Sequence, residues 1–199
     1  EHIRGTIINA RDVHDSLETL FSGHAEKLHL PYLHVVYTVP PWLKIKCPGI
    51  AAAYDNALLL PCVKVCMRED GNTCNGGVDA LEKMVARRGD WKHLLGSREV
   101  LDDLCGASGG YLRDLFRLLQ ACIYRALRSS VPVTAEEVEL AKHEVRNSYL
   151  PIANDDVLWL ERVAQSHQAE LEAGEQLKDL SRFFDTHLVL CYRNGEEWY

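Results

Sequence analysis

The chain contains no apolar run close to the roughly 18 to 20 residues that a membrane-spanning helix needs. Nothing at its start follows the charged, apolar, small-residue order of a secretory signal. It also lacks GxxxxGK[ST], a GxGxxG after a strand, HExxH and GxSxG. Those gaps exclude a self-contained phosphate loop, a dinucleotide fingerprint, a zincin helix and a nucleophile elbow. Basic charge is in deficit: 22 Lys and Arg stand against 29 Asp and Glu, a net charge of -7. Bulk electrostatics therefore do not favour nucleic acid. Internal repeats and low-complexity tracts are absent as well.

The seven cysteines are an odd number, with no CxxC pair. That gives neither a disulfide framework nor a zinc pattern. Cys62, Cys66 and Cys74 come nearest to a ligand set. Alternation in "LLLPCVKVCMRE", however, places Cys62, Lys64 and Cys66 on one face of a strand. The expectation is a cytoplasmic chain with reduced, mostly buried thiols and no metal site. The nine histidines are scattered; His24, His29 and His34 step by five, which fits neither a helix face nor a metal motif.

What is present is the composition of a globular protein, 47% hydrophobic and 26% charged over 199 residues, long enough for a sizeable core. Glu1 in place of Met, and Tyr199 inside a strand-like run, lead to the expectation of a piece of something longer. Residues 7–30 carry Val13, Leu17, Leu20, Phe21 and Leu28 on one helical stripe, stopped by Pro31. "HVVYTVPPW" and "ALLLPCVKVCM" read as short buried strands, the second with Pro61 at its edge or entry. A helix followed by two such strands predicts part of an α/β sheet over residues 1–70. The polar, glycine-bearing stretch 68–77 predicts a boundary.

Helical periodicity then dominates to about Tyr149, predicting a small bundle over residues 71–150. Thr134 with Glu137 forms a capping box before the last of its helices. Residues 151–199 read as two helices and a hairpin turned at Asn194-Gly195, the order of a winged-helix-like module. Overall the chain is expected to be predominantly helical.

"SGGYLRDLFRLL" carries the sharpest signal. Ser108, Gly109 and Gly110 read as a helix start, which places Arg113 beside the positive end of the helix dipole, where an anionic side chain is favoured. Arg87 and Arg88 in "VARRGDW" sit at a helix end, where cations are favoured.

Three stretches, "LFSGHAEKLHLPYLHVVYTVP", "SGGYLRDLFRLLQACIYRA" and "LVLCYRNGEEWY", resemble the C-terminal half of an AAA+-type P-loop ATPase, in its STAND- or origin-recognition-like branch. The resemblance implies an α/β core remnant, a helical lid and a winged-helix-like end. It implies that Thr38, on the strand His34–Pro40, is the polar "sensor 1" residue. It implies that Arg113, with Ser108, Gly109 and Gly110, belongs to the "sensor 2" helix that reaches nucleotide phosphates. ATP and Mg²⁺ are the cofactors so implied for the intact protein, bound mainly by Walker motifs that would precede Glu1. By itself the chain is then not an ATPase. Its implied partners are that N-terminal ATPase half, further subunits or another protein. The alternative is an interaction module without a nucleotide role. In it the helix "EQLKDLSRFFDT" and wing residue Arg193 set Lys178 and Arg182 against Glu175, Asp179 and Asp185, which favours protein over DNA.

Overall fold

The computed structural model describes residues 10–168, 176–194 and 197–198. These are predominantly helical. The chain forms two compact units, each built from two stretches: Glu1–Leu60 with Glu170–Val189, and Pro61–Ala169 with Leu190–Tyr199.

In the first unit, α1 (Ala10–Glu18) runs into a π-helical turn at Thr19–Gly23 and a short α2 (Ala25–Leu28). The Thr19 hydroxyl donates to the Asp15 carbonyl at 2.8 Å, a back-bond that competes with the helical ladder and loosens it there. Pro41 opens α3 (Pro41–Lys46) at a first-turn position where its missing N–H costs nothing. A 3-10 turn, Pro48–Ala53, follows. Trp42, Leu43, Cys47 and Ile50 form the buried centre, with Leu17, Phe21, Val39 and Tyr54 packed around it.

Two expected strands are not strands. His34–Pro40 is extended but has no ladder, and the double proline begins α3 instead of ending a strand. Residues 57–67 divide: Leu58 and Leu60 are over 90% exposed in the first unit. Residues 61–66 then meet separate backbone partners in the second, and the run's last contact is one isolated antiparallel bridge of Cys66 with Thr73. Cys62 N–H donates to Cys191 O at 2.9 Å, Val63 N–H to Gly110 O at 3.3 Å, and Cys74 N–H to Val65 O at 2.8 Å. A strand exists only where a neighbouring backbone supplies a continuous ladder, and neither run has one among the described residues. The expected α/β remnant is therefore replaced by helices and extended connections.

The second unit is the helix bundle. Asp70 receives the Asn72 N–H in the turn that precedes it. Its helices are α4 (Asn75–Ala86), α5 (Trp91–Leu95), α6 (Arg98–Ala107), α7 (Leu112–Ala126) and α8 (Ala135–Asn147). The apolar stripes interlock as Val78, Leu81 and Val85; Leu101, Leu104 and Cys105; Leu115, Leu118 and Cys122; and Val138, Ala141 and Val145. All follow the three- and four-residue steps of the sequence. The capping box forms: Glu137 N–H donates to Thr134 Oγ1 at 3.2 Å and Thr134 N–H to Glu137 Oε2 at 2.8 Å. Arg98 gathers Asp79, Glu82 and Asp102 from α4 and α6.

The expected winged-helix end does not assemble. Its first helix, α9 (Asn154–Ser166), lies in the second unit. The next, α10 (Gln176–Asp185), packs on α3 in the first unit, where Leu180 and Phe183 are buried. Burial of that apolar face against α3 removes it from any three-helix core. β1 (Arg193–Asn194) and β2 (Glu197–Trp198) pair antiparallel, Arg193 opposite Trp198 and Asn194 opposite Glu197. Asn194 is thus a strand residue, and the turn expected at Asn194-Gly195 falls partly outside the described residues.

Candidate functional site

Ser108, Gly109 and Gly110 close α6 before α7 begins, so the expected helix start belongs to the preceding helix end. Ser108 N–H donates to Leu104 O at 3.0 Å, Gly109 N–H to Gly106 O at 2.9 Å and Gly110 N–H to Cys105 O at 3.4 Å. The buried Ser108 hydroxyl donates to Cys105 O at 2.8 Å and accepts from Gly110 N–H at 3.1 Å. Both glycines have positive φ, 57° and 72°, the left-handed backbone that ends helices. Tyr111, whose N–H donates to Ser108 O, is the N-cap of α7.

The turn is also crowded. A Cβ on Gly110 would fall 1.8 Å from the Val63 carbonyl oxygen, and one on Gly109 would fall 2.7 Å from Leu190 Cδ1. The Tyr192 hydroxyl donates to Gly109 O at 2.5 Å. Three pieces of chain therefore meet at Ser-Gly-Gly: the extended run 61–66, the α6–α7 turn and the segment after Leu190.

Beyond this turn, α7 presents Arg113 exposed in its first turn, with no ion pair to any described residue. The next residue behaves oppositely. Asp114 is 8% exposed. It accepts from the Tyr149 hydroxyl and, at 3.0 Å, from Arg117 Nη1, while Arg117 Nη2 donates to Ser148 Oγ at 2.6 Å. Burial, then the Asp114 contact and charge, push the Tyr149 phenol well above its ordinary pKa. The network ties the first turn of α7 to the end of α8.

As a phosphate site the arrangement is selective. The N–H groups of Ser108, Gly109 and Gly110 are spent inside the turn, so they form no cradle of the kind that holds a phosphate. The exposed Arg113 guanidinium does fit a phosphate oxygen. Among the described residues no group of three or more His, Cys, Asp or Glu is arranged to hold a metal ion.

Thr38 is exposed and unpaired with any sheet, in the first unit, whereas Arg113 belongs to the second. The hydroxyl of its neighbour Tyr37 is spent on Leu28 O at 2.9 Å. Arg87 is the C-cap of α4, and the Arg88 guanidinium stacks over the Phe116 ring, 4.5 Å from its centroid. Lys178 lies among residues whose side chains are outside the description; Arg182 pairs with Asp179 at 3.5 Å.

The cysteines are free, and burial pushes the Cys105 and Cys122 thiols up to about 11, so at neutral pH they are packing groups and not nucleophiles. An open surface depression is lined by Asp15, Ser16, Thr19, Leu20 and His24, and the Thr19 hydroxyl in it is spent on Asp15 O. No described helix is long and apolar enough to cross a membrane.

Sequence reasoning missed Asp114 and Tyr149. The signal was available: a carboxylate stands on the same helical face as Leu118 and Ala121, where the spacing calls for an apolar side chain. No protein-family model, curated protein or solved structure matches the chain.

Proposed function

We propose that the helical unit is the lid of an AAA+-type ATP-dependent switch, and that Arg113 reads the nucleotide phosphates. The observation that carries this is the contrast within one helix turn. Arg113 is exposed and has no carboxylate partner among the described residues, while Asp114 is buried and Arg117 is engaged by it. A guanidinium left open beside a helix N-terminus is mildly unfavourable alone and is complemented by phosphate.

In this reading Arg113 gains its partner when triphosphate is present and loses it on release, so lid position follows nucleotide state. Ser108, Gly109 and Gly110 shape the turn that aims α7. The phosphate loop and Mg²⁺ ligands come from an ATPase core, because the chain has no GxxxxGK[ST]. ATP with Mg²⁺ is accordingly the cofactor of the assembled protein, its setting is the cytoplasm, and the chain alone hydrolyses nothing.

The test is a titration of the 199-residue chain with Mg·ATP, followed by calorimetry. Arg113→Ala weakens binding about tenfold or more, the scale of one charge-assisted bond. Binding indifferent to Arg113, or ATP turnover by the chain with Arg113 removed, overturns the reading.

A second reading, a protein-interaction module, is favoured by Leu58, Leu60, Tyr32 and Val36, each at least 90% exposed. Large apolar side chains left at a surface are the material of contact sites. Leu58→Ser with Leu60→Ser would abolish self-association or partner capture if these residues carry it, and leave both unchanged if they do not.

A further inference from the structure

We infer that Asp114 and Tyr149 are positioning residues for Arg113, a lock that holds the first turn of α7 against the end of α8 so that the Arg113 guanidinium is presented in one direction. The inference rests on the phosphate-reading role of Arg113 and adds how that side chain is held. Asp114 follows Arg113 in sequence and faces inward, 8% exposed. One carboxylate oxygen receives the Tyr149 hydroxyl and the other receives Arg117 Nη1 at 3.0 Å. Arg117 in turn reaches Ser148 Oγ at 2.6 Å and lies 6.0 Å from the centroid of the Tyr149 ring. Ser148 is itself tied down, its hydroxyl donating to Val145 O at 2.6 Å.

Each group in this cluster has a partner, so the cluster is no binding site of its own. Its consequence is mechanical. A buried carboxylate with charged and hydroxyl donors holds its backbone more firmly than an exposed side chain can. The first turn of a helix is otherwise the part that frays, because its early N–H groups have no acceptor within the helix. A long, unpaired arginine on a fraying turn samples many directions, and ordering it costs binding entropy. Anchoring residue 114 from inside removes the backbone share of that cost at residue 113.

Tyr149→Phe is the sharpest variant, since it keeps the ring that packs against the bundle and removes only the hydroxyl. Asp114→Asn is the second; it retains an oxygen for Tyr149 and drops the charge that holds Arg117. Circular dichroism should show the helix content of the parent in both. The first amides of α7 with acceptors in the helix are those of Leu115 and Phe116; Leu115 N–H donates to Tyr111 O at 3.1 Å. Amide hydrogen exchange at these two residues, without ligand, should accelerate about tenfold in Tyr149→Phe, with protection at α6 unchanged. Unchanged exchange at those residues means there is no lock, whatever Arg113 does.

Mg·ATP binding, read by calorimetry, should weaken about three- to tenfold in Tyr149→Phe. In an Arg113→Ala background the same change should have no further effect, because a positioning residue acts only through the group it positions. Equal losses in both backgrounds overturn the positioning role and leave the Arg113 reading standing. If the parent chain shows no Arg113-dependent binding while exchange still responds to Tyr149→Phe, the phosphate reading falls and the inference falls with it, though the lock is real as a packing device.

Discussion

The bundle of α4 to α8 and the stretch from His29 to Leu60 bury their apolar side chains to very different extents. In the bundle, Leu81, Leu101, Leu104, Leu115 and Cys122 are fully buried, and helices from distant parts of the unit supply each other's contacts. In the earlier stretch the buried centre is small, built around Trp42, Leu43 and Ile50. Leu33, Val36, Leu58 and Leu60 stay at the surface. Both regions are rich in apolar residues, so composition is not what separates them. A helix satisfies its own backbone bonds and needs neighbours only for one face, whereas an extended run needs a second backbone before its side chains can be covered.

Residues 61–66 show how the bundle handles an extended run that it does bury. Gly77 lets that run pass so closely that an added Cβ would sit 1.8 Å from the Lys64 carbonyl oxygen. Gly76, beside it in α4, has open space around the same position. Alanine normally stabilises a helix over glycine by up to about 1 kcal/mol. Gly76→Ala should therefore raise stability slightly, while Gly77→Ala should lower it by about 3 kcal/mol or more, since backbone and not a flexible side chain must move. Denaturant unfolding of the two variants makes the comparison, and similar results for both would mean that the run 61–66 is not held in the bundle.

A core leucine from each region sharpens the contrast. Leu104 and Leu43 are both fully buried. Truncation to alanine in a dense core costs about 2 to 5 kcal/mol, depending on how far the site can collapse. Leu104→Ala should fall in the upper part of that range, because four helices fix its surroundings. Leu43→Ala should fall near the lower end, about 2 kcal/mol, because its small cluster can close over the gap. In variants that keep a single tryptophan, Trp91 reports on the bundle and Trp42 on the small cluster, so each loss can be read locally. Equal costs would show that the two cores are equally rigid.

The same distinction explains what could be read from the residues in advance. The helices of the bundle follow from apolar spacing, and Thr134 with Glu137 announces the start of α8, because both signals are local. His34–Pro40 and Ala57–Met67 have the composition of strands, but a strand also needs a partner that composition cannot supply. Ser108, Gly109 and Gly110 were legible as a helix boundary, and in sequence they read as a start. Their direction was not: a glycine pair serves the end of one helix as readily as the start of the next, and the Val63 and Tyr192 contacts that decide the matter come from residues far away in sequence. Of the candidate site, Arg113 at a helix start was legible; the Asp114–Tyr149 tie behind it was hidden by a separation of 35 residues.

The smallest expected effect tests the most local signal in the bundle. Removing the cap with Thr134→Ala should cost about 1 kcal/mol. The Glu137 carboxylate is held below the ordinary glutamate range, first by the Ser129 hydroxyl and then by the Thr134 N–H. Its folded pKa is depressed, so its contribution is fully present above the ordinary value of about 4.3 and is lost as pH falls through the folded value. Stability curves of the parent and Glu137→Gln should therefore differ at neutral pH and converge as the medium is acidified below pH about 4. A gap that stays constant down to acid would mean that the glutamate acts by shape and not by charge. In that case the α8 cap would be no more electrostatic than the apolar packing beneath it.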